Sequence, residues 1–278
     1  MTMQAVPRGW RLYGVDFTSA PRAAKTITIA RGTPTPGGVR LEALRSCPDW
    51  PAFEAFLGES GPWLGAFDFP FGLPREAVAD LGWPQDWPAL VRHCRQLGRA
   101  DFRRALDAYR ESRPPGRRYA HRASDHAAKS HSPLKLVNPP VGLMFLEGAP
   151  RLLDAGLTLP GMHAGAADRI AIEAYPGALA RTITNASYKS DERRKQTPER
   201  LAARGTILAA LCSGDHPLDL ILEADETLRG QLVDDGSGDL LDAVLALIQA
   251  AWALRAGAPR YGLPDSFDPV EGWIIATG

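Results

Sequence analysis

Three short apolar segments of this chain each end in a carboxylate, and no other feature constrains the fold as much. Leu12-Tyr13-Gly14-Val15 runs into Asp16, Trp63-Leu64-Gly65-Ala66-Phe67 into Asp68, and Ile170-Ala171-Ile172 into Glu173. Continuous apolar runs of this length read as strands covered on both faces, as in the parallel sheets of α/β proteins. An unpaired carboxylate on a buried strand costs several kcal/mol, so three of them imply a shared purpose. The carboxyl edge of neighbouring parallel strands is where open α/β sheets place their ligands. A fourth acid, Asp242, falls in the first turn of an apolar helix predicted over 239–256 and stopped by Gly257. Asp239, three residues earlier, shares its helix face, although its simplest role is an N-cap.

The intervening segments set the topology. Residues 25–30 alternate apolar and polar with β-branched side chains, and 37–42 read as a further strand after the turn-rich 33–36. Such short connections predict an antiparallel three-strand meander. Asp49 is placed to cap a helix over 50–57, with Pro51 in its first turn. Beyond Glu173 the pattern predicts a helix over 176–182, a charged loop over 188–195, and a helix from Thr197-Pro198 to about Cys212. An acidic stretch over 215–242 precedes the long apolar helix, and 272–276 read as a final edge strand. The expected fold class is α/β, with a mixed sheet of meander plus parallel strands and helices on both faces, in a single domain over 1–278.

Residues 84–165 differ in character and read as a largely helical, basic insertion, with helices over 88–109 and 141–153. Between Arg92 and Lys135, twelve Lys and Arg face four Asp and Glu, a local excess of eight positive charges. Arg95, Arg99 and Arg103 are expected on a solvated helix face or in pairs with acids, whereas Arg122 and Lys189 are expected to hold phosphate. His93, His121, His126 and His131 have no metal-ligand spacing and read as surface groups. The seven tryptophans form no ladder of the RNA-binding kind.

Overall charge narrows the function. The 32 basic and 32 acidic residues cancel, which disfavours a protein that coats nucleic acid non-specifically. Three widely separated cysteines, Cys47, Cys94 and Cys212, predict reduced thiols and a cytoplasmic protein. Residues 1–10 lack the apolar run of a signal peptide, and 240–254 are too short to span a bilayer, so no membrane association is expected.

Oxygen-only ligands favour a hard cation, Mg²⁺ or Mn²⁺, and paired ions are suited to phosphodiester hydrolysis. Asp16, Asp68, Glu173 and Asp242 are the candidate catalytic residues, and the same four with Asp239 are the candidate metal ligands. Thr18, Arg122, Lys189 and Arg193 are the candidate substrate contacts. Nucleic acid, DNA or RNA, is the expected substrate, and a homodimer through exposed aromatic residues of the insertion stays open. Two other functions fit the same acids. Asp16-Phe17-Thr18-Ser19 loosely suits a nucleotide-binding phosphotransferase or ATPase, although no Gly-rich phosphate loop accompanies it. A non-catalytic adaptor binding nucleic acid or protein is the third.

The chain resembles the family called domain of unknown function 429, described as a predicted nuclease with a ribonuclease H-like fold. The resemblance rests on Gly14-Val15-Asp16, on Asp68-Phe69-Pro70 with Gly72-Leu73-Pro74, and on Glu173-Ala174-Tyr175-Pro176. Tyr188-Lys189, Asp239-Leu240-Leu241-Asp242-Ala243 and Glu271-Gly272-Trp273-Ile274 continue it in the family's order, and Arg122-Ala123-Ser124-Asp125 with Ser132-Pro133 fit its middle. The resemblance implies a ribonuclease H-like core, with which the strand and helix order read from the residues agrees.

Overall fold

All three acid-ended segments are strands in the computed structural model, which describes residues 9–276. β1 (Arg11–Asp16), β2 (Ile27–Thr35) and β3 (Gly38–Cys47) form the antiparallel meander. Its second turn is tighter than the sequence predicts. Thr33, Pro34 and Thr35 continue β2, and Thr35 pairs with Gly38 across a two-residue loop, Pro36-Gly37. Pro34 is tolerated because β1 pairs with β2 only as far as Gly32, so its missing N–H faces no third strand.

α1 (Trp50–Leu57) starts at Asp49, whose carboxylate accepts the Ala52 N–H at 2.9 Å. Phe53 and Phe56 from α1 pack with Tyr13 and Trp63 in an aromatic cluster under the sheet. β4 (Trp63–Asp68) then runs parallel to β1, with Asp68 directly opposite Asp16. The following stretch is helical: α2 (Arg75–Asp80), α3 (Trp87–Ser112), α4 (Ala123–Ala128) and α5 (Val141–Asp154). α3 is kinked at Gly98, which takes φ 69° and ψ 170°. Its arginines are largely consumed in ion pairs: Arg95 with Asp154, Arg99 with Glu147, Arg110 with Asp107. Asp154 and Glu147 lie outside Arg92–Lys135, so they offset two of the eight excess positive charges.

After β5 (Leu157–Thr158), β6 (Ala166–Glu173) adds in parallel to β4. α6 (Pro176–Ile183), α7 (Pro198–Ser213), β7 (Ile221–Glu223), α8 (Glu226–Asp234) and α9 (Asp239–Ala256) complete the fold. The sheet has the order β5-β6-β4-β1-β2-β3-β7. β7, parallel to β3, and α8 fall within the acidic stretch and are not evident from the sequence. The expected final strand is a single bridge between Ile274 and Glu173. Helices cover both faces, α1, α3 and α5 on one side and α6, α7 and α9 on the other. This mixed sheet with its meander and parallel strands is consistent with a ribonuclease H-like core. Among the described residues no helix is long and apolar enough to cross a membrane, and the three cysteines are free. Among the described residues, the exposed large apolar side chains are Val137, Leu201 and Ile221. None is an aromatic of the kind expected to make a dimer contact.

Gly14 determines how closely α9 approaches the sheet. A Cβ there would lie 2.0 Å from the Ala243 carbonyl oxygen and 2.2 Å from the Leu247 nitrogen. The helix therefore rests on bare β1 backbone, which brings its first turn, with Asp242, over the strand end at Asp16. Gly14→Ala forces α9 off the strand and is expected to lower stability by about 3 kcal/mol. Urea unfolding checks this, and an unchanged midpoint would show that the helix does not lie against β1.

Candidate active site

Parallel pairing brings the acids of β1, β4 and β6 to one edge but not to one face. Asp16 pairs with Asp68, so both side chains leave the sheet on the α9 side. Glu173 instead pairs with Phe67, one residue short of Asp68. Alternation then sends its side chain to the other face, where Phe67 and Ala171 enter the aromatic core.

Glu173 is fully engaged there. The Arg122 guanidinium donates to its Oε1 at 2.6 Å and its Oε2 at 2.8 Å, and the Phe71 N–H donates to Oε2 at 2.9 Å. Arg122 also donates to Asp125 from Nε at 3.1 Å and from a terminal nitrogen at 2.8 Å, and to the Glu271 carbonyl at 2.9 Å. Every nitrogen of the guanidinium is occupied, and its side chain is only 2% exposed. Desolvation opposes its charge, but Glu173 and Asp125 more than offset this and push its pKa up. Arg122 is thus not available to a substrate phosphate, nor Glu173 to a metal. The pair ties α4 to the end of β6.

The remaining acids gather over Asp16 and Asp68. Asp242 is fully buried and accepts the Tyr188 hydroxyl at 2.5 Å and the Lys189 ammonium. Asp239 accepts Lys25 on both oxygens, at 2.8 and 2.9 Å, and Lys25 also reaches Asp191 at 2.9 Å. The charged loop is held in place by α7. Buried Arg204 donates to the Tyr188 carbonyl at 2.8 Å, and Arg200 to the Lys189 carbonyl at 2.9 Å. Gly238, at φ 78°, completes the fit, because a Cβ there would come within 2.6 Å of the Lys189 Cβ. Tyr188 and Lys25 are the site residues that sequence reasoning does not assign. An aromatic next to Lys189 in an otherwise charged loop is the one signal for Tyr188, and nothing local marks Lys25.

Among the described residues, Asp16 and Asp68 make no side-chain hydrogen bond or ion pair. Burial raises the Asp16 pKa well above the ordinary carboxylate range, Asp242, Asp239 and Asp68 raise it further, and Lys189 opposes them. Burial likewise lifts Asp68 to about 7, with Asp242 adding to the shift and Lys189 opposing it. Lys189 itself is raised, since Asp242 more than offsets its desolvation. Thr18 is half-buried just beyond β1, and Arg193 is exposed in a single 3₁₀ turn (Arg193–Lys195). Neither side chain has a hydrogen-bonding partner among the described residues.

A stability signature follows from Asp68. In the unfolded chain an aspartate ionises near pH 4, whereas in the folded site Asp68 holds its proton to about 7. The folded state therefore loses stability as pH rises between these values, by at most roughly 4 kcal/mol, and the loss is complete above the folded value. In metal-free buffer, Asp68→Asn should leave the thermal midpoint nearly unchanged at pH 4 and raise it at pH 8. A difference independent of pH would remove the case for a strained carboxylate.

A cavity of about 470 Å³ opens beside this edge, with Asp68, Glu173, Arg122 and Lys189 in its wall. Among the described residues no three Asp, Glu, His or Cys side chains converge as a ready-made metal site. Two unpaired carboxylates side by side, with two further acids close by, nevertheless suit a cation. Fully ionised, Asp16, Asp68, Asp239 and Asp242 set four negative charges against the two ammonium groups of Lys25 and Lys189. Asp191, also on Lys25, adds a fifth carboxylate, so the acids outnumber the cations that face them.

No curated protein and no solved structure matches the chain. A family model described as Protein of unknown function (DUF429) matches residues 14–266, from the glycine under α9 to beyond the last helix, and the chain belongs to that family.

Proposed function

We propose that this chain is a Mg²⁺- or Mn²⁺-dependent phosphodiesterase acting on nucleic acid, with its site at the carboxyl ends of β1 and β4. The observation that carries the reading is the Asp16–Asp68 pair: adjacent, with Asp16 buried and Asp68 half-buried, and without partners among the described residues. Such an arrangement destabilises the fold, and a divalent cation is the ligand that relieves it. Asp16 and Asp68 would hold the ion, with Asp242 and Asp239 next to them as the acids that Lys189 and Lys25 now neutralise. A divalent ion there supplies Lewis-acid charge and a lowered pKa for water. Lys189 has a half-exposed side chain and an ammonium at the acid cluster, which suits it to meet a substrate phosphate. Exposed Arg193 and half-buried Thr18 would be further donors to the substrate. Glu173 and Arg122 contribute rigidity instead of charge.

A labelled panel of single-stranded, duplex, hybrid and branched nucleic acids tests this, incubated with Mn²⁺ or with EDTA. Mn²⁺-dependent cleavage that disappears in Asp16→Asn is the expected result. No cleavage of any substrate, or cleavage that Asp16→Asn leaves intact, would overturn the reading.

A further inference from the structure

We infer that the cavity beside Asp68 seats one unstacked nucleobase, so that the substrate offers a nucleotide outside a duplex; this rests on the phosphodiesterase reading above. The cavity is about 470 Å³, within the range of small-molecule sites and roomy enough for one base with part of its sugar. Its walls have two characters. On the α5 side they are apolar, from Pro139, Val141 and Met144, and on the β6 side stands the ring of Tyr175. Val141, Met144 and Tyr175 are each only half-buried, so their surfaces are open to the cavity.

The Tyr175 ring is held in place. The Arg181 guanidinium lies 5.0 Å from its centroid, donates to its hydroxyl at 3.2 Å, and is itself anchored on the Ala128 carbonyl at 2.7 Å. An aromatic ring fixed in a cavity that apolar side chains also line is the surface on which single-stranded readers stack a base, whatever its identity. Polar groups complete the lining, among them His131, Lys189 and Asp68. His131 is available to a base edge, and Lys189 and Asp68 join the cavity to the acid cluster, where the attached phosphate would lie. A base paired and stacked in a helix cannot enter, so a free nucleotide, a single strand or an extruded base remains.

The test uses the full chain in EDTA, where no metal-dependent cleavage occurs. A 5-iodouracil-substituted single-stranded oligonucleotide is irradiated with the protein and the cross-linked peptide is identified by mass spectrometry. In parallel, affinities for that oligonucleotide, for its blunt duplex, and for AMP and UMP are measured for the wild type and for Met144→Trp, which fills the cavity. The expected result is a cross-link on Tyr175 or Met144, single-strand binding well above duplex binding, and about a tenfold or greater loss in Met144→Trp. Tyr175→Leu, which removes the ring but keeps an apolar wall, should lose a similar factor if Met144→Trp does not fold. Binding of AMP or UMP as tight as that of the oligonucleotide would mark free nucleotides as the source, and weaker binding a strand. Cross-links confined to other surfaces, affinity unchanged in both variants, or no binding of any probe would overturn the inference. Mn²⁺-dependent cleavage lost in Asp16→Asn but normal in Met144→Trp would overturn it while sparing the phosphodiesterase. Base binding without cleavage would do the reverse.

Discussion

Asp16→Asn should make the protein more stable and inactive at once. Asp16 is largely buried, has no hydrogen bond or ion pair among the described residues, and faces Asp242, Asp239 and Asp68. Asparagine keeps its shape and removes the charge that burial and three neighbouring acids oppose. In metal-free buffer at pH 8 the variant should gain about 1–2 kcal/mol, read as a higher thermal midpoint. The gain should shrink at lower pH, because the wild-type carboxyl is then protonated and already neutral. Mn²⁺ should raise the wild-type midpoint at pH 8 and raise that of the variant much less. Cleavage should fall by about a thousandfold or more, the loss expected when several kcal/mol of metal-derived stabilisation disappears. A carboxylate kept only for the fold would behave in the opposite way, with a lower midpoint in the variant and cleavage unaffected. Because the two readouts move in opposite directions, a misfolded variant cannot imitate the expected result.

Much of this arrangement is legible before any coordinates. Asp16, Asp68 and Glu173 end apolar runs, and three such runs are parallel neighbours in the sheet. The bounds of α1 and α9 follow from Asp49, from the apolar run and from Gly257. What composition cannot reveal is parity. Glu173 ends its strand just as Asp68 does, but the β4–β6 register shifts it by one residue and so to the other face of the sheet. Nor can a count of arginines reveal occupancy. Arg122 sits in a basic segment and reads as a phosphate ligand until Glu173 and Asp125 are seen to occupy it. Lys25 is farther still from local inference, since its partner Asp239 lies 214 residues away and only the packing of α9 on the meander joins them. β7 and α8 are hidden by an acidic stretch whose short apolar runs, such as Ile221-Leu222, are too brief to distinguish from loop.

Arg122→Leu separates the clamp from the phosphate-ligand role most sharply. The substitution leaves Glu173 and Asp125 buried, with side chains 3% and 0% exposed, facing an apolar group in place of their shared cation. Breaking one side of a buried ion cluster typically costs about 3–5 kcal/mol, mostly through the charges left unpaired. Arg122→Lys should recover only part of this loss. A single ammonium cannot reproduce the two-pronged contact with Glu173 while also reaching Asp125 and the Glu271 carbonyl. Arg122→Leu combined with Glu173→Leu should be less destabilised than the sum of the single variants, a coupling that a double-mutant cycle in urea measures directly. Had Arg122 been a phosphate ligand, the single variant would keep its urea midpoint and instead weaken substrate binding. Protein that does fold as Arg122→Lys should retain Asp16-dependent cleavage, because Arg122 makes its bonds to Glu173, Asp125 and the Glu271 carbonyl and none to Asp16 or Asp68. Stability lost with chemistry retained would identify the cluster as the anchor of the helical segment that walls the cavity, and chemistry lost with stability retained would return Arg122 to the substrate.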